Sequence, residues 1–254
     1  MVINSAEVKP ILSASNICKT FGGVEALKEV SFEVKPGEVM ALVGDNGAGK
    51  STLIKTLSGV YTPDSGTMTY QDQHIAFEDP SQARSSGIET IYQDLALADN
   101  LDVGSNIFLG REPKTKRFGL FPVLDRTHMT KVAEEVIKPL DIIIPKASLK
   151  KPVLSLSGGQ RQAIAIGRAV YWQAKVLIMD EPTAALGVPE QRKVMELILK
   201  LKEQGVAIIL ISHNMNDVFA VSDRITVLRR GQVVGVREAS ETNSEELVHL
   251  MVAG

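Results

Sequence analysis

Runs of apolar residues alternate with stretches of helical spacing along most of this 254-residue chain. The apolar runs in its second half are almost continuous and rich in Val and Ile, as in parallel strands that are covered on both faces. Turn-forming residues bound most of the runs. The pattern predicts strands at residues 11–21, 24–34, 39–43, 88–92, 176–180, 206–211, 224–228 and 232–236, and a short one ending at Tyr70.

Helical spacing predicts seven helices, and together with the strands it indicates an α/β fold with a mostly parallel sheet. Residues at about 95–154 interrupt the alternating pattern of strands and helices. We therefore expect an inserted, mostly helical subdomain there, within an α/β core at about 10–94 and 155–254. The predicted helices follow residue 50 to near 59, and lie at about 80–86, 129–140, 157–172, 189–204, 215–221 and 244–251, with Ser244 as the N-cap of the last.

Within the predicted insertion, residues 111–123 have the composition of a loop and contain Lys114, Lys116 and Arg117. A basic cluster of this kind is either a solvated loop or a contact surface, and the sequence leaves both interpretations open.

Charge and cysteine content narrow the function classes. The formal net charge of −2 gives no general attraction to nucleic acid or anionic lipid. Cys18 is the single cysteine, so no internal disulfide forms, as is typical of a reducing compartment. No run approaches about 18 apolar residues, and residues 1–10 lack the apolar run of a signal peptide. We therefore expect a cytoplasmic chain that does not span the membrane.

A glycine-rich loop follows the predicted strand at 39–43 and has the spacing Gly-x-x-x-x-Gly-Lys-Ser. Glycines allow backbone N–H groups to converge on phosphates, and the start of the next helix adds its positive dipole end. We expect Lys50 to reach the β- and γ-phosphates and the Ser51 hydroxyl to bind Mg²⁺. The alternative is an ordinary strand-to-helix turn. The candidate phosphate-binding residues are Gly44, Asp45, Asn46, Gly47, Ala48, Gly49, Lys50, Ser51 and Thr52.

Polar residues follow three of the other predicted strands. Asp180 and Glu181 end one strand, where Asp180 suits Mg²⁺ and Glu181 suits a general base for an attacking water. Gln93 can orient water or complete the metal shell, and His213 can hydrogen-bond a γ-phosphate. The alternative for Asp180 and Glu181 is that the Asp-Glu-Pro sequence only caps and ends the strand. The alternative for Gln93 and His213 is that they are ordinary polar residues of loops.

A second glycine signal lies where the helix at about residue 157 begins. It is either an N-cap with a tight turn, or a second phosphate site formed by helix-start amides and a serine hydroxyl. Adjacent glycines are costly in a first helical turn, which favours the second interpretation. The residues are Ser157, Gly158, Gly159 and Gln160.

In this combination and order, the motifs resemble those of the ATP-binding-cassette ATPases, which are P-loop NTPases, over nearly the whole chain. The five-residue signature is the specific part, because other P-loop ATPases lack it. The matches are residues 44–52 to the Walker A loop, Gln93 to the Q-loop, 156–160 to the signature, 176–180 with Glu181 to Walker B, and His213 to the switch histidine.

This resemblance implies a RecA-like core with an antiparallel β subdomain and an inserted helical subdomain. It also implies ATP and Mg²⁺ as cofactors, with Ser51, Gln93 and Asp180 at the metal and Glu181, His213 and Gln93 in catalysis. Phe21 matches the aromatic residue that stacks on adenine, although its position alone indicates a core residue.

In this family two cassettes pack head to tail, so Ser157 and Gly159 of one copy are expected at the γ-phosphate held by the other. The expected partner is thus a second copy in an ATP-dependent homodimer. Gly187 departs from the pattern, because the family commonly has an aspartate in this loop. A carboxylate contact between subunits is therefore missing.

Residues 87–94, 106–112 and 212–215 resemble importer subunits for monosaccharides of the ribose, xylose and fructose type. The resemblance implies a separate membrane permease, whose helix would enter a groove that includes residues 93–111. It also implies indirect dependence on a periplasmic sugar-binding protein and a place on the inner face of the cell membrane. The alternative is a soluble cassette ATPase acting on nucleic acid or ribosomes, which the near-neutral charge disfavours.

Overall fold

The computed structural model describes residues 8–117, 121–140, 143–184 and 186–252. Its contacts divide the chain into two compact units. The first comprises the chain up to Thr90, Lys175–Glu181 and the chain from Ile198 onward, and the second comprises Ile91–Ala174 and Pro182–Leu197.

Twelve strands and eight α-helices lie within the described residues. The strands are β1 (Leu12–Phe21), β2 (Val24–Val34), β3 (Val39–Val43), β4 (Ser65–Tyr70), β5 (Gln73–Ile75), β6 (Ile88–Ile91), β7 (Lys114–Arg117), β8 (Phe121–Leu124), β9 (Val176–Asp180), β10 (Ala207–Ile211), β11 (Arg224–Arg229) and β12 (Gln232–Glu238). The helices are α1 (Lys50–Leu57), α2 (Pro80–Ser85), α3 (Val103–Ile107), α4 (Arg126–Ile137), α5 (Gly158–Tyr171), α6 (Val188–Glu203), α7 (Met215–Val221) and α8 (Ser244–Val252).

A six-stranded sheet in the order β12-β11-β3-β10-β9-β6 forms the core of the first unit. Strands β11, β3, β10 and β9 are parallel neighbours, and β12 is antiparallel to β11. Every residue of β3 and β10 is buried, which explains their unbroken apolar sequence. The predicted α/β class with a mostly parallel sheet is confirmed.

A four-stranded sheet in the order β2-β1-β4-β5 forms the antiparallel part of the same unit. Strands β1 and β2 pair from Leu12 opposite Val34 to Phe21 opposite Val24. The turn between them, Gly22 and Gly23, therefore closes a hairpin. Leu12, Ile17 and other apolar residues of the hairpin enter the main hydrophobic core.

The second unit contains α3, α4 and α5, and α3 packs against both other helices. An aromatic cluster holds the end of α5, where the Phe108 and Tyr171 ring centroids lie 5.0 Å apart and Trp172 Nε1 donates to the Ile107 carbonyl at 3.0 Å. Among the described residues, no helix is both long and apolar enough to cross a bilayer.

Four predictions of local structure were wrong or incomplete. The stretch at 111–123 is not simply a loop, because β7 and β8 pair there in antiparallel orientation, while residues 118–120 of this stretch lie outside the described residues. Strand β5 and helix α3 were not predicted. Ser244 is the first residue of α8 and not its N-cap, since the Asn243 side chain accepts from the Glu246 amide at 3.0 Å.

Candidate functional site

The glycine loop leaves the fully buried strand β3 at a point where no side chain fits. A Cβ atom at Gly44 would lie 2.1 Å from the Leu228 carbonyl oxygen of the neighbouring strand β11, and the residue has φ of +152°. Gly49, with φ of +108°, is the N-cap of α1 and supplies no capping side chain. Since no side chain caps α1, its first amides and dipole face the loop, as an anion site requires.

Lys50 is the first residue of α1 and is 8% exposed. Its ammonium donates to the Gly44 carbonyl at 2.6 Å and to the Asp45 carbonyl at 3.1 Å. Burial lowers the pKa of this lysine, while the nearby Glu181 and Asp180 carboxylates oppose the shift. The cation is thus fixed at the loop beside two acidic groups. Ser51, in the same helical turn, is exposed.

The two acidic residues stand where β9 ends. Asp180 is half-buried, and burial, followed by the neighbouring Glu181, raises its pKa, while Lys50 opposes the shift. Glu181 has left-handed backbone geometry, with φ of +53°, and its amide donates to the Ile211 carbonyl at 2.9 Å. A left-handed backbone costs a non-glycine residue about 1–3 kcal/mol, and residues strained in this way cluster at functional sites.

His213 joins this group from the next strand, β10. Its Nε2 lies 2.8 Å from Glu181 Oε1, with the Glu181 side chain 17% exposed and that of His213 50% exposed. Parallel pairing sets Asp180 opposite Ile211, which brings the chain after both strands to the same edge. The structure therefore brings Lys50, Asp180, Glu181 and His213 together in the first unit.

Phe21 lies at the end of β1 and is 40% exposed, which does not fit the core role that its position alone indicates. Its ring packs edge to face with that of Tyr61, with centroids 5.0 Å apart. An exposed aromatic ring of this kind is suited to stacking.

Gln93 belongs to the second unit and is exposed, two residues after the end of β6. It lies in a tight turn in which the Leu95 amide donates to the Tyr92 carbonyl at 2.7 Å, and Leu95 and Ala96 both have positive φ. The amide side chain of Gln93 is thus presented on a constrained loop.

Ser157–Gln160 also lie in the second unit, at the start of α5. Ser157 Oγ accepts from the Gln160 amide at 3.3 Å, and the Ser157 amide donates to Gln160 Oε1 at 3.0 Å. The N-cap interpretation of this motif is therefore correct as local structure, and this capping box fixes the first turn of a 14-residue helix.

Glu190, in the first turn of α6, packs against this motif and was missed by the sequence analysis. A Cβ atom at Gly159 would lie 2.8 Å from Glu190 Cγ, and one at Gly187 would lie 2.8 Å from Glu190 Oε2. Gly187, which departs from the family pattern, thus leaves room for a carboxylate from the following helix. The sequence gives only a weak signal for Glu190, because an acidic residue is common in any first helical turn.

A glycine loop opening a helix, a lysine within it, and two carboxylates at the end of another parallel strand of the same sheet define a P-loop nucleotide hydrolase. The family model described as "ABC transporter" matches residues 27–184. The chain belongs to the ABC transporter family and is an ATP-binding cassette ATPase, as the sequence motifs predicted.

Two relatives and one solved structure illustrate the similarity. The chain is 47% identical over 243 residues to the xylose/arabinose import ATP-binding protein XylG of Sulfolobus acidocaldarius, covering 96% of this chain and 94% of that protein. It is 44% identical to the fructose import ATP-binding protein FrcA of Rhizobium meliloti, with the same coverage. The dimeric post-hydrolysis cassette MJ0796 bound to ADP and Pi is 25% identical, with a TM-score of 0.76 and coverage of 90% and 98%.

Proposed function

We propose that this chain is the ATP-hydrolysing subunit of a monosaccharide importer and drives a separate membrane permease. The observation that carries the proposal is the combined site at the loop and strand edge, where Lys50, Asp180, Glu181 and His213 lie together. The sugar class is supported by relatives that are named for import of xylose or arabinose and of fructose.

ATP binds with its phosphates on the loop at residues 44–52 and on the first amides of α1. Lys50 transfers its hydrogen bonds from the Gly44 and Asp45 carbonyls to the β- and γ-phosphates. Phe21, whose ring is partly exposed, stacks on the adenine.

The residues at the strand edge fit a magnesium ion. Mg²⁺ is usually held by one or two carboxylates together with substrate phosphates, and the described residues contain no larger cluster of metal-ligating side chains. The half-buried Asp180 carboxylate and the Ser51 hydroxyl are hard oxygen donors in one unit. When bound, Mg²⁺ neutralises charge on the β- and γ-phosphate oxygens.

Glu181 acts as the general base in hydrolysis. It accepts a proton from the water that attacks the γ-phosphorus, while the bond between that phosphorus and the β–γ bridging oxygen breaks to release ADP and phosphate. His213, 2.8 Å from Glu181, holds the carboxylate in position and hydrogen-bonds the γ-phosphate. Gln93 orients the water.

Two copies assemble head to tail around two ATP molecules. The capped start of α5 presents Ser157, Gly158, Gly159 and Gln160 to the γ-phosphate bound by the partner subunit. The capping box uses the Gln160 amide, but the Ser157 hydroxyl, which accepts that bond, can still donate its own hydrogen to a phosphate oxygen. ATP then favours the closed dimer, and hydrolysis removes the bridging phosphate.

The importer assembly places the chain at the inner face of the cell membrane. Its permease partner crosses the bilayer, and a periplasmic sugar-binding protein delivers the substrate to that permease. The loop that follows Gln93 and the adjacent residues to Arg111 receive a permease helix. Sugar identity then resides in the partners and not in this subunit.

Replacement of Glu181 tests the proposal. Glu181→Gln should lower phosphate release at least about 100-fold, keep ATP binding, and give an ATP-dependent dimer by size-exclusion chromatography. Glu203→Gln, at the exposed end of α6, is the matched control and should behave as the parent. Full turnover in Glu181→Gln would exclude its role as base.

Transport is tested by expressing the parent and Glu181→Gln beside the chromosomal permease in a strain lacking this subunit. Uptake of labelled ribose, xylose, arabinose and fructose should require the active protein for one of them. Equal uptake of all four sugars with both proteins would contradict the importer role.

A further inference from the structure

Phe21 is held by a cluster that reaches it from the far end of the phosphate-binding helix. The Phe21 and Tyr61 rings meet edge to face, with centroids 5.0 Å apart and planes at 64°. Tyr61 is itself tied to α1, because its amide donates to the Lys55 carbonyl at 3.1 Å. The Lys55 ammonium lies 5.6 Å from the Tyr61 ring centroid.

A second set of contacts joins the same segment to β1. Asp64 accepts from the Lys19 ammonium at 2.7 Å and from the Thr20 amide at 2.7 Å, and its own amide donates to the Cys18 carbonyl at 2.9 Å. These two hydrogen bonds to its carboxylate, from Lys19 first, lower the pKa of Asp64. The Lys19 ammonium also lies 5.5 Å from the Phe21 ring centroid.

The exposed ring is therefore oriented by its neighbours. Lys19 and Tyr61 restrict its rotation, and both are anchored to the segment that leaves α1. Helix α1 begins with Lys50 at the phosphate loop and spans eight residues, or about 12 Å. One rigid connection thus runs from the phosphate loop through α1 and Tyr61 to the ring of Phe21.

We propose that Tyr61 is a positioning residue that sets the distance between the base-stacking ring of Phe21 and the phosphate loop. This rests on the proposed role of Phe21. Tyr61 makes the site discriminate a nucleotide, which has a base to stack, from a bare polyphosphate. Its effect reaches the base through Phe21 and leaves the phosphate contacts unchanged.

The test compares KM and kcat for ATP with the inhibition constant of inorganic tripolyphosphate, which lacks a base. Tyr61→Ala should raise KM for ATP about threefold to tenfold at unchanged kcat and unchanged tripolyphosphate inhibition. Tyr61→Phe keeps the ring contact and should match the parent. Tyr61→Leu fills most of the space of the ring. If Tyr61→Ala does not fold, Tyr61→Leu replaces it in the test, provided that its melting temperature equals that of the parent.

A double-variant cycle separates this inference from the role of Phe21. Phe21→Ala should raise KM for ATP, and adding Tyr61→Ala should raise it no further, because Tyr61 acts through the missing ring. Additive effects, or equal losses for ATP and tripolyphosphate, would overturn the positioning role. If Phe21→Ala leaves KM unchanged, the proposed stacking role of Phe21 fails and this inference fails with it.

Discussion

Replacing Gly44 by alanine should destabilise the chain far more than the same change at Gly47 in the same loop. The new Cβ at Gly44 would lie 2.1 Å from the Leu228 carbonyl oxygen and 3.1 Å from Ala48 Cβ. An ordinary contact is more than about 1 Å longer than the first of these distances and a few tenths of an ångström longer than the second. At Gly47 nothing lies within 4 Å of the new Cβ.

Both positions have positive φ, +152° at Gly44 and +80° at Gly47, so each substitution carries a backbone cost of about 1–2 kcal/mol. The steric overlap adds about 1–3 kcal/mol at Gly44 only. The neighbouring carbonyl belongs to β11, whose pairing with β3 prevents it from moving away easily. The loop must therefore shift.

Thermal unfolding without nucleotide measures these costs apart from ligand contacts. For a chain of this length, the additional loss at Gly44 should lower the melting temperature by about 2–10 °C below that of Gly47→Ala. Phosphate release from ATP should also fall about 100-fold for Gly44→Ala, because the loop that positions the phosphates is displaced by about 1 Å. Equal melting temperatures for the two variants would refute the steric argument.

Three further predictions test other parts of the structure. Asp180→Asn should abolish Mg²⁺-dependent hydrolysis yet raise the melting temperature near pH 8. The raised pKa of Asp180 means that the stability of the parent falls as pH rises from the ordinary carboxyl pKa through the raised one, and melting temperatures of the variant measured from pH 3 to 8 should not show that fall. Gly187→Asp should destabilise the chain through contact with Glu190, and a second change, Glu190→Gln, should restore part of the loss in chemical denaturation. Asn243→Ala should cost about 1 kcal/mol and Ser244→Ala much less, so equal losses in thermal melts would contradict the cap assignment.

The strand edge of the site could be predicted because it depends on local patterns and one topological rule. Five buried residues in β3 followed by the glycine loop fix the position of Lys50. Parallel strands end at the same edge, and the register of β9 with β10 places Ile211 opposite Asp180. Glu181 and His213, which follow these two strands, therefore lie at the same edge, where their side chains are in contact.

The missed elements are short or lack the usual signals. Strand β5 has three residues, too few to show alternation. Helix α3 has five, and its Gly104 allows approach to Met129, where a Cβ would lie 2.9 Å from the carbonyl oxygen. Between β7 and β8, Lys116 pairs with Pro122, and neither residue favours a strand.

Contacts between distant residues were beyond sequence analysis for a different reason. Glu190 meets Gly159 only because α6 returns to the start of α5, and Tyr61 meets Phe21 only because the end of α1 lies beside β1. No local pattern encodes such pairs. Each of these contacts joins two elements whose sequence signals are independent of each other. Each element can therefore be predicted from the sequence, but the element against which it packs cannot.

The charged groups of the site show why the fold and the nucleotide depend on each other. Burial is the largest influence on both Lys50 and Asp180, and it shifts each pKa in the direction that favours the neutral form. The positive Lys50 opposes the pKa shift of Asp180, and the negative Asp180 opposes that of Lys50, so each group favours the charged form of the other. Phosphates bring negative charge to the lysine, and a divalent cation brings positive charge to the aspartate. The pair is therefore stabilised most when nucleotide and metal bind together, which links the occupancy of the site to the stability of the sheet edge.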